Sequence, residues 1–261
     1  MIERETDRMK VILINGSPRL EHSSTLQLAR AFLTGWDSAE KLEIEEVAVQ
    51  QLDFKSCLGC LSCWKRTPGK CVQNDAATEW IEKVVQADAV VWSFPLYFYS
   101  LPGKLKMFLD RQCCTLRPNF LPRSDFPEAG FHGDRVDRSQ QKILVFGTCG
   151  HFSGNANFAA VKSTFDLIYG EERWMPFFFG EGEMMQLPWL KEQAEQLIGL
   201  VKKAGEEYGR TGAVSDETRN GMETPLIPSR EEFEKQARSY YEHMEAKAAK
   251  RAAEAANAAQ Q

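Results

Sequence analysis

No stretch of the 261-residue chain comes near the ~20 consecutive apolar residues that a membrane-spanning helix requires. Met1 to Lys10 is charged where a secretory leader would be apolar. The chain also lacks a positive balance: 32 Lys and Arg stand against 37 Asp and Glu, for a net charge of −5. Nucleic acid and anionic membrane surfaces are not drawn to such a field. Two phosphate fingerprints are missing as well, the Gly-Lys-Ser/Thr of a Walker loop and the GxGxxG dinucleotide turn. There is no internal repeat. The cysteines number seven, and an odd count with four of them clustered argues against a disulfide framework. These absences predict a cytoplasmic protein with reduced thiols whose partners are small molecules or proteins.

What is present is ordinary globular composition, 43% apolar and 26% charged, enough for a sizeable core. From residue 11 a short apolar run, a Gly-rich or polar loop and an amphipathic segment follow one another repeatedly, the signature of a parallel sheet with crossover helices. Strands are predicted at Val11 to Ile14, Ile44 to Val49, Ala89 to Trp92, Ile143 to Phe146 and Trp174 to Phe179. Between and after them, stripes such as Leu26, Ala29, Leu33 and Trp36, or Leu101, Leu105, Phe108 and Leu109, mark helices. Five strands of this kind fit a doubly wound α/β fold with strand order 2-1-3-4-5, whose ligand crevice lies where the order reverses. The core domain is expected over residues 9–208, with a linker over 209–229 and a partly solvated helical tail over 230–261. Residues 116–140 carry Pro, Gly and charge without periodicity and read as an inserted loop.

Three loops at one rim of this sheet carry the chemistry. Gly16-Ser17-Pro18-Arg19 follows the first strand and Ser23-Ser24-Thr25 opens the first helix. Hydroxyls, unpaired amides and a helix amino terminus make an anion site suited to a monophosphate, unless they serve only as a capped helix start. Pro95, Leu96, Tyr97 and Phe98 begin an aromatic-rich turn after the third strand, able to edge a flat apolar ring or simply to seal a helix onto the sheet. Gly147 to His151 follows the fourth strand, with Thr148 and Gly150 as contacts that allow close backbone approach. Asp110 and Arg111 read as a helix-surface or helix-packing pair, and Cys113, Cys114 and Cys149 as packing residues.

The Gly-Ser-Pro-Arg loop with its Ser-Ser-Thr, together with the stretch from Pro95 to Arg111, resembles the NAD(P)H-dependent FMN reductase and iron-sulfur flavoprotein family of the flavodoxin-like superfamily. The resemblance implies a flavodoxin-like fold that holds FMN non-covalently. Ser17, Arg19, Ser23, Ser24 and Thr25 would receive its phosphate, and Pro95, Leu96, Tyr97, Phe98, Thr148 and Gly150 its ring. Ser24 stands where the family usually has Asn. No side-chain nucleophile is implied, since the flavin carries the chemistry. NAD(P)H would be a co-substrate, and a homodimer or homotetramer is the implied assembly.

Cys57-x2-Cys60-x2-Cys63-x7-Cys71 lies between the second strand and its helix. Three thiolates from one compact turn and a fourth after Pro68-Gly69 can enclose a [4Fe–4S] cube. The spacing is similar to the compact motif of iron-sulfur flavoproteins. A zinc site and an ordered loop of redox-active or structural thiols remain the alternatives. The expected activity is electron transfer from NAD(P)H or a reduced carrier to a small acceptor such as a quinone, a nitro compound or dioxygen. A non-enzymatic electron carrier that docks a redox protein is the second reading.

Overall fold

The computed structural model describes residues 8–258. It divides into two compact units, one up to Thr224 and one from Pro225 on. The first unit is built on a five-stranded parallel sheet of β1 (Met9–Asn15), β2 (Leu42–Ala48), β3 (Ala89–Pro95), β6 (Lys142–Thr148) and β7 (Met175–Phe179). Their spatial order is β2-β1-β3-β6-β7, which is the predicted 2-1-3-4-5 for the sheet's own strands. The extra pair, β4 (Leu116–Leu121) and β5 (Phe131–Asp134), forms a separate antiparallel hairpin. The 116–140 segment is therefore not a structureless loop. Its lack of alternation reflects a β4 exposed beyond its first residue and a β5 no more than half-buried, with no buried face to impose a period of two.

The central strands are continuous apolar runs because both faces of the sheet are covered. On one face lie α1 (Ser24–Ala39) and α6 (Lys191–Thr211); on the other, α3 (Ala76–Gln86), α4 (Gly103–Arg111) and α5 (Ala159–Tyr169). Side chains alternate accordingly. Ile12, Ile14, Val90 and Trp92 join Ile81, Phe108 and Phe165 in one core, whereas Phe146 and Phe177 meet Phe32 of α1. The predicted stripe of α1 is buried at Leu26, Ala29, Leu33 and Trp36.

Helices α1 and α6 cross at glycine. A Cβ on Gly35 would come within 1.9 Å of Lys202 O, and one on Gly205 within 1.9 Å of Phe32 O. Two helix-interior glycines, each unfavourable by ~1 kcal/mol relative to Ala, are retained because the two backbones touch. That approach seats Tyr208 against both Phe32 and Trp36.

Residues 209–229, expected as a linker, are mostly structured. Helix α6 runs to Thr211 and α7 covers Asp216–Met222. Ser215 caps α7 by accepting from Thr218 N–H at 3.3 Å, and Glu207 of α6 accepts from Thr218 Oγ1 at 2.7 Å and Ser215 N–H at 2.9 Å. The polar composition that suggested a linker is the capping chemistry of a short helix. In the second unit, α8 spans Arg230–Ala258, with Tyr240, Tyr241 and Met244 exposed. No helix among the described residues is long and apolar enough to cross a membrane.

Candidate functional site

The loops after β1, β3 and β6 meet at the carboxyl edge of the sheet, at the reversal between β1 and β3. Asn15, the last residue of β1, is fully buried, and its Oδ1 accepts from Ser17 N–H at 2.9 Å. Ser17 Oγ in turn accepts from Arg19 N–H at 3.2 Å. The loop is held down by Gly16 N–H donating to Ser93 O at 2.8 Å and by Gln50 Nε2 donating to Gly16 O at 3.2 Å. Gly16 is required here, since a Cβ would stand 2.5 Å from Leu105 Cδ2 of α4. Leu20 takes φ +50° to turn the chain back into α1, where Ser23 Oγ accepts from Leu26 N–H at 3.3 Å. Thr25 Oγ1 and Thr148 Oγ1 share a 2.5 Å hydrogen bond across the sheet edge, joining the first loop to the third.

The second loop is fastened by Leu96 N–H, which donates to Thr148 O at 2.7 Å. Tyr97 and Ser100 then exchange two backbone hydrogen bonds of 3.0 Å around Phe98 (φ +48°) and Tyr99 (φ +64°). Two consecutive left-handed L-residues form a strained primed turn of the kind that normally selects Asn-Gly. Phe98 at its tip is 98% exposed. The ring of Tyr99 stacks on that of His151 with centroids 6.0 Å apart, so His151, not counted among the contacts, stands against the aromatic turn.

The three loops enclose a cleft of about 70 Å³. Ser17, Arg19, Ser23, Ser24 and Thr25 line it from the first loop, Pro95, Leu96 and Tyr97 from the second, and Thr148 and Gly150 from the third. Phe98 alone of the predicted contacts points away from it. Ligand clefts for drug-sized molecules are typically ~300–1,000 Å³. This one has room only for a phosphate-sized group. The donor set suits a phosphate: hydroxyls, one guanidinium and the first amides of a helix.

Sequence reasoning missed two participants. Asn15 falls between the predicted strand Val11 to Ile14 and the Gly16 to Arg19 loop, yet its amide organises that loop, and its Nδ2 and the Ser93 Oγ beside it in register are buried without hydrogen-bond partners. Glu183 lines the same cleft, with its carboxylate 3.6 Å from the Arg19 guanidinium. No motif marks Glu183, because it reaches the site from the segment after β7. Gly182, which precedes it, packs so tightly that a Cβ would meet Thr148 Cβ at 2.5 Å. A larger cavity of about 1,020 Å³ lies between the hairpin and residues 169–173, and it contains none of the predicted site residues.

The cysteine loop hangs beside this rim, with one short helix, α2 (Ser62–Lys65). Cys57 and Cys60 are exposed, whereas Cys63 and Cys71 are half-buried. Among the described residues no three Cys, His, Asp or Glu side chains stand together as a metal site, so the expected cage of Cys57, Cys60, Cys63 and Cys71 is not formed. The physical reason is the turn itself. Gly59 (φ +62°) and Leu61 (φ +52°) swing the first two thiols to solvent, while Cys63 and Cys71 pack against the core. The Ser62 N–H and hydroxyl hold the Cys60 thiol below its ordinary range, while burial and the neighbouring Cys71 push Cys63 up.

Arg111 anchors both ends of the loop. Buried to 1% exposure, it donates to Lys55 O and Gln73 O, each at 2.9 Å, and to both Asp75 oxygens at 2.8 and 3.0 Å. Asp110, by contrast, pairs with Lys106 on the helix surface. Burial pushes the Asp75 carboxyl up, but the Arg111 and Lys55 hydrogen bonds outweigh it and hold the group below its ordinary range.

A family model described as NADPH-dependent FMN reductase matches residues 9–152, more than half of the chain. An iron-sulfur flavoprotein of Methanocaldococcus jannaschii is 37% identical over 103 residues, covering 40% of this chain and 51% of its own length. One of Archaeoglobus fulgidus is 33% identical over 118 residues, covering 44% and 55%. The chain thus spans about half the length of these relatives. Among solved structures, an FMN-dependent NADH-azoreductase of Bacillus anthracis in complex with FMN superposes with a TM-score of 0.56 at 16% identity, covering 77% of this chain and 99% of that one. At that identity the likeness shows the fold.

Proposed function

The chain belongs to the NADPH-dependent FMN reductase family, and from that premise we propose that it is an FMN-dependent oxidoreductase passing electrons from NAD(P)H or a reduced carrier to a small acceptor such as a quinone, a nitro compound or dioxygen. The observation that carries this reading is the convergence of three sequence-distant loops on one cleft with a phosphate's donor set. When bound, FMN supplies hydride acceptance and reoxidation. The protein's part is to hold it. Among the described residues Arg19 supplies the one cation lining the cleft, Ser17, Ser23 and Thr25 supply hydroxyls, and the amino terminus of α1 faces the same point. Pro95, Leu96 and Tyr97 offer an apolar edge to the ring, and Gly150 leaves room for backbone approach. The exposed aromatic tip at Phe98 beside the cleft supports a homodimer or homotetramer, which sedimentation would test.

The names of the relatives raise the [4Fe–4S] cluster again. As placed, the four cysteines do not fit it, because two face solvent and two face the core.

The test is direct. Protein purified anaerobically should carry, or take up, FMN with a flavin absorption spectrum, and should oxidise NAD(P)H when given a quinone. Colourless protein that does not quench FMN fluorescence would sink the reading, whereas flavin uptake without NAD(P)H turnover would favour the electron carrier.

A further inference from the structure

The cavity of about 1,020 Å³ lies at the amino edge of the sheet, where two of its walls, residues 133–139 and 169–173, lead into β6 and β7. The cleft proposed for FMN lies where those strands end. The seven residues of β6 hold the two apart by roughly 20 Å, since a parallel strand rises about 3.3 Å per residue. The third wall is the hairpin with its connection, and guanidiniums tie the three walls together. Arg123 donates to Asp166 O at 2.8 Å and Leu167 O at 2.9 Å at the carboxyl end of α5, and pairs with Asp125. Arg173 donates to Arg138 O at 3.0 Å and to Ser139 O. Arg138 pairs with Asp134 of β5, and Arg117 of β4 donates to Asp134 O at 3.1 Å and Arg135 O at 3.4 Å. These ties close a ring, so the cavity belongs to the fold and is not a gap between loose loops.

Arg117 and Arg173 bond only backbone carbonyls, all on one short stretch, 134–139, and among the described residues neither joins an ion pair. A guanidinium carries five N–H groups, so each keeps its charge and has donors to spare. Asp137, Glu171 and Glu172 line the same space, exposed and likewise outside any ion pair. Leu121 is the one aliphatic side chain among the described residues of the lining. This mixture turns away two kinds of occupant. An apolar molecule finds no anchor, and a bare polyanion meets three carboxylates. A phosphate ester of a sugar satisfies both signs of charge, because guanidiniums grip phosphate through paired hydrogen bonds and carboxylates accept from sugar hydroxyls, as they do from ribose in nucleotide sites. We propose that the cavity is a second small-molecule site that binds a sugar phosphate, its phosphate on Arg117 and Arg173 and its hydroxyls on Asp137, Glu171 and Glu172. At its distance from the cleft the bound molecule takes no part in chemistry on the flavin.

The experiment is equilibrium dialysis of the full-length chain, saturated with FMN so that its phosphate cleft is filled, against ribose 5-phosphate, with ribose and inorganic phosphate as separate arms. Saturable binding of one ribose 5-phosphate per chain is expected, with ribose unbound and inorganic phosphate at least about tenfold weaker, the loss of the hydroxyl contacts. Arg117→Gln, which alters an exposed side chain, should weaken binding about 10- to 100-fold with melting temperature and FMN affinity unchanged. Glu172→Gln should weaken it a few-fold, a second variant on a different wall. Arg19→Ala should leave it as it is, and the same dialysis of Arg19→Ala without flavin serves if the chain takes up no FMN, so that this proposal and the flavin reading fail separately. Absence of saturable binding, equal binding of inorganic phosphate, or a loss in Arg19→Ala with none in Arg117→Gln would overturn the proposal.

Discussion

Arg19 and Glu183 face one another across one end of the cleft, 3.6 Å apart and both half-exposed. Removing the guanidinium takes away a charge-assisted contact of ~1.5–3 kcal/mol. Arg19→Ala should therefore weaken FMN binding about 10- to 100-fold while leaving riboflavin, which lacks the phosphate, unchanged. Fluorescence titration with the two flavins separates them, and equal losses for both would remove Arg19 from the phosphate site. Glu183→Gln should act in the opposite direction and tighten FMN a few-fold, because it deletes a negative charge beside a phosphate dianion. Arg111 is a residue of another kind, buried and structural. Arg111→Met strands Asp75, which is only 19% exposed, and should cost about 2–4 kcal/mol in denaturant unfolding at neutral pH. The pH dependence follows from Asp75, whose folded-state pKa is depressed. Its contribution is present above the unfolded carboxylate value of ~3.9 and is lost as pH falls through the lower folded value. The gap between wild type and Arg111→Met should accordingly narrow below about pH 4.

At the scale of elements, the turn at Phe98 and Tyr99 and the crossing of α1 with α6 place opposite demands on glycine. The turn has the backbone of Asn-Gly and the side chains of two aromatics. Replacing Phe98-Tyr99 by Asn-Gly should stabilise the fold by about 1–2 kcal/mol, the strain of the two left-handed residues. Lower turnover in that stabilised variant would show that the aromatics are kept for function. The helix crossing has glycine where helix propensity disfavours it. Gly205→Ala, which sets a methyl 1.9 Å from Phe32 O, should destabilise by about 3 kcal/mol or more by forcing the helices apart. Thermal melts check both. These glycines were visible in the sequence only as blemishes in helical stripes, since the close approach they permit is made with a helix about 170 residues away. The hairpin escaped for a related reason: β4 is largely exposed and β5 only half-buried, so no alternation records them.

Over the whole molecule, every residue of the cleft belongs to the unit that ends at Thr224. A chain ending at Ser229 should bind FMN as the full chain does, measured by the same titration. The order of the sheet, the crossover helices and the three loops that meet at its edge could be read in advance because each rests on local signals. A parallel strand covered on both faces is an unbroken apolar run, an amphipathic helix repeats every 3.6 residues, and a phosphate loop is a contiguous motif after such a strand. Ser17, Arg19, Ser23, Ser24 and Thr25, singled out from such a loop, line one cleft with Pro95, Leu96, Tyr97, Thr148 and Gly150. Only the folded chain could decide that Glu183 opposes Arg19 and that Arg111 is a buried clamp. Those partners come from segments far apart in the chain. Burial and pairing depend on which surfaces meet when the layers pack, and nothing in a local pattern of residues encodes that.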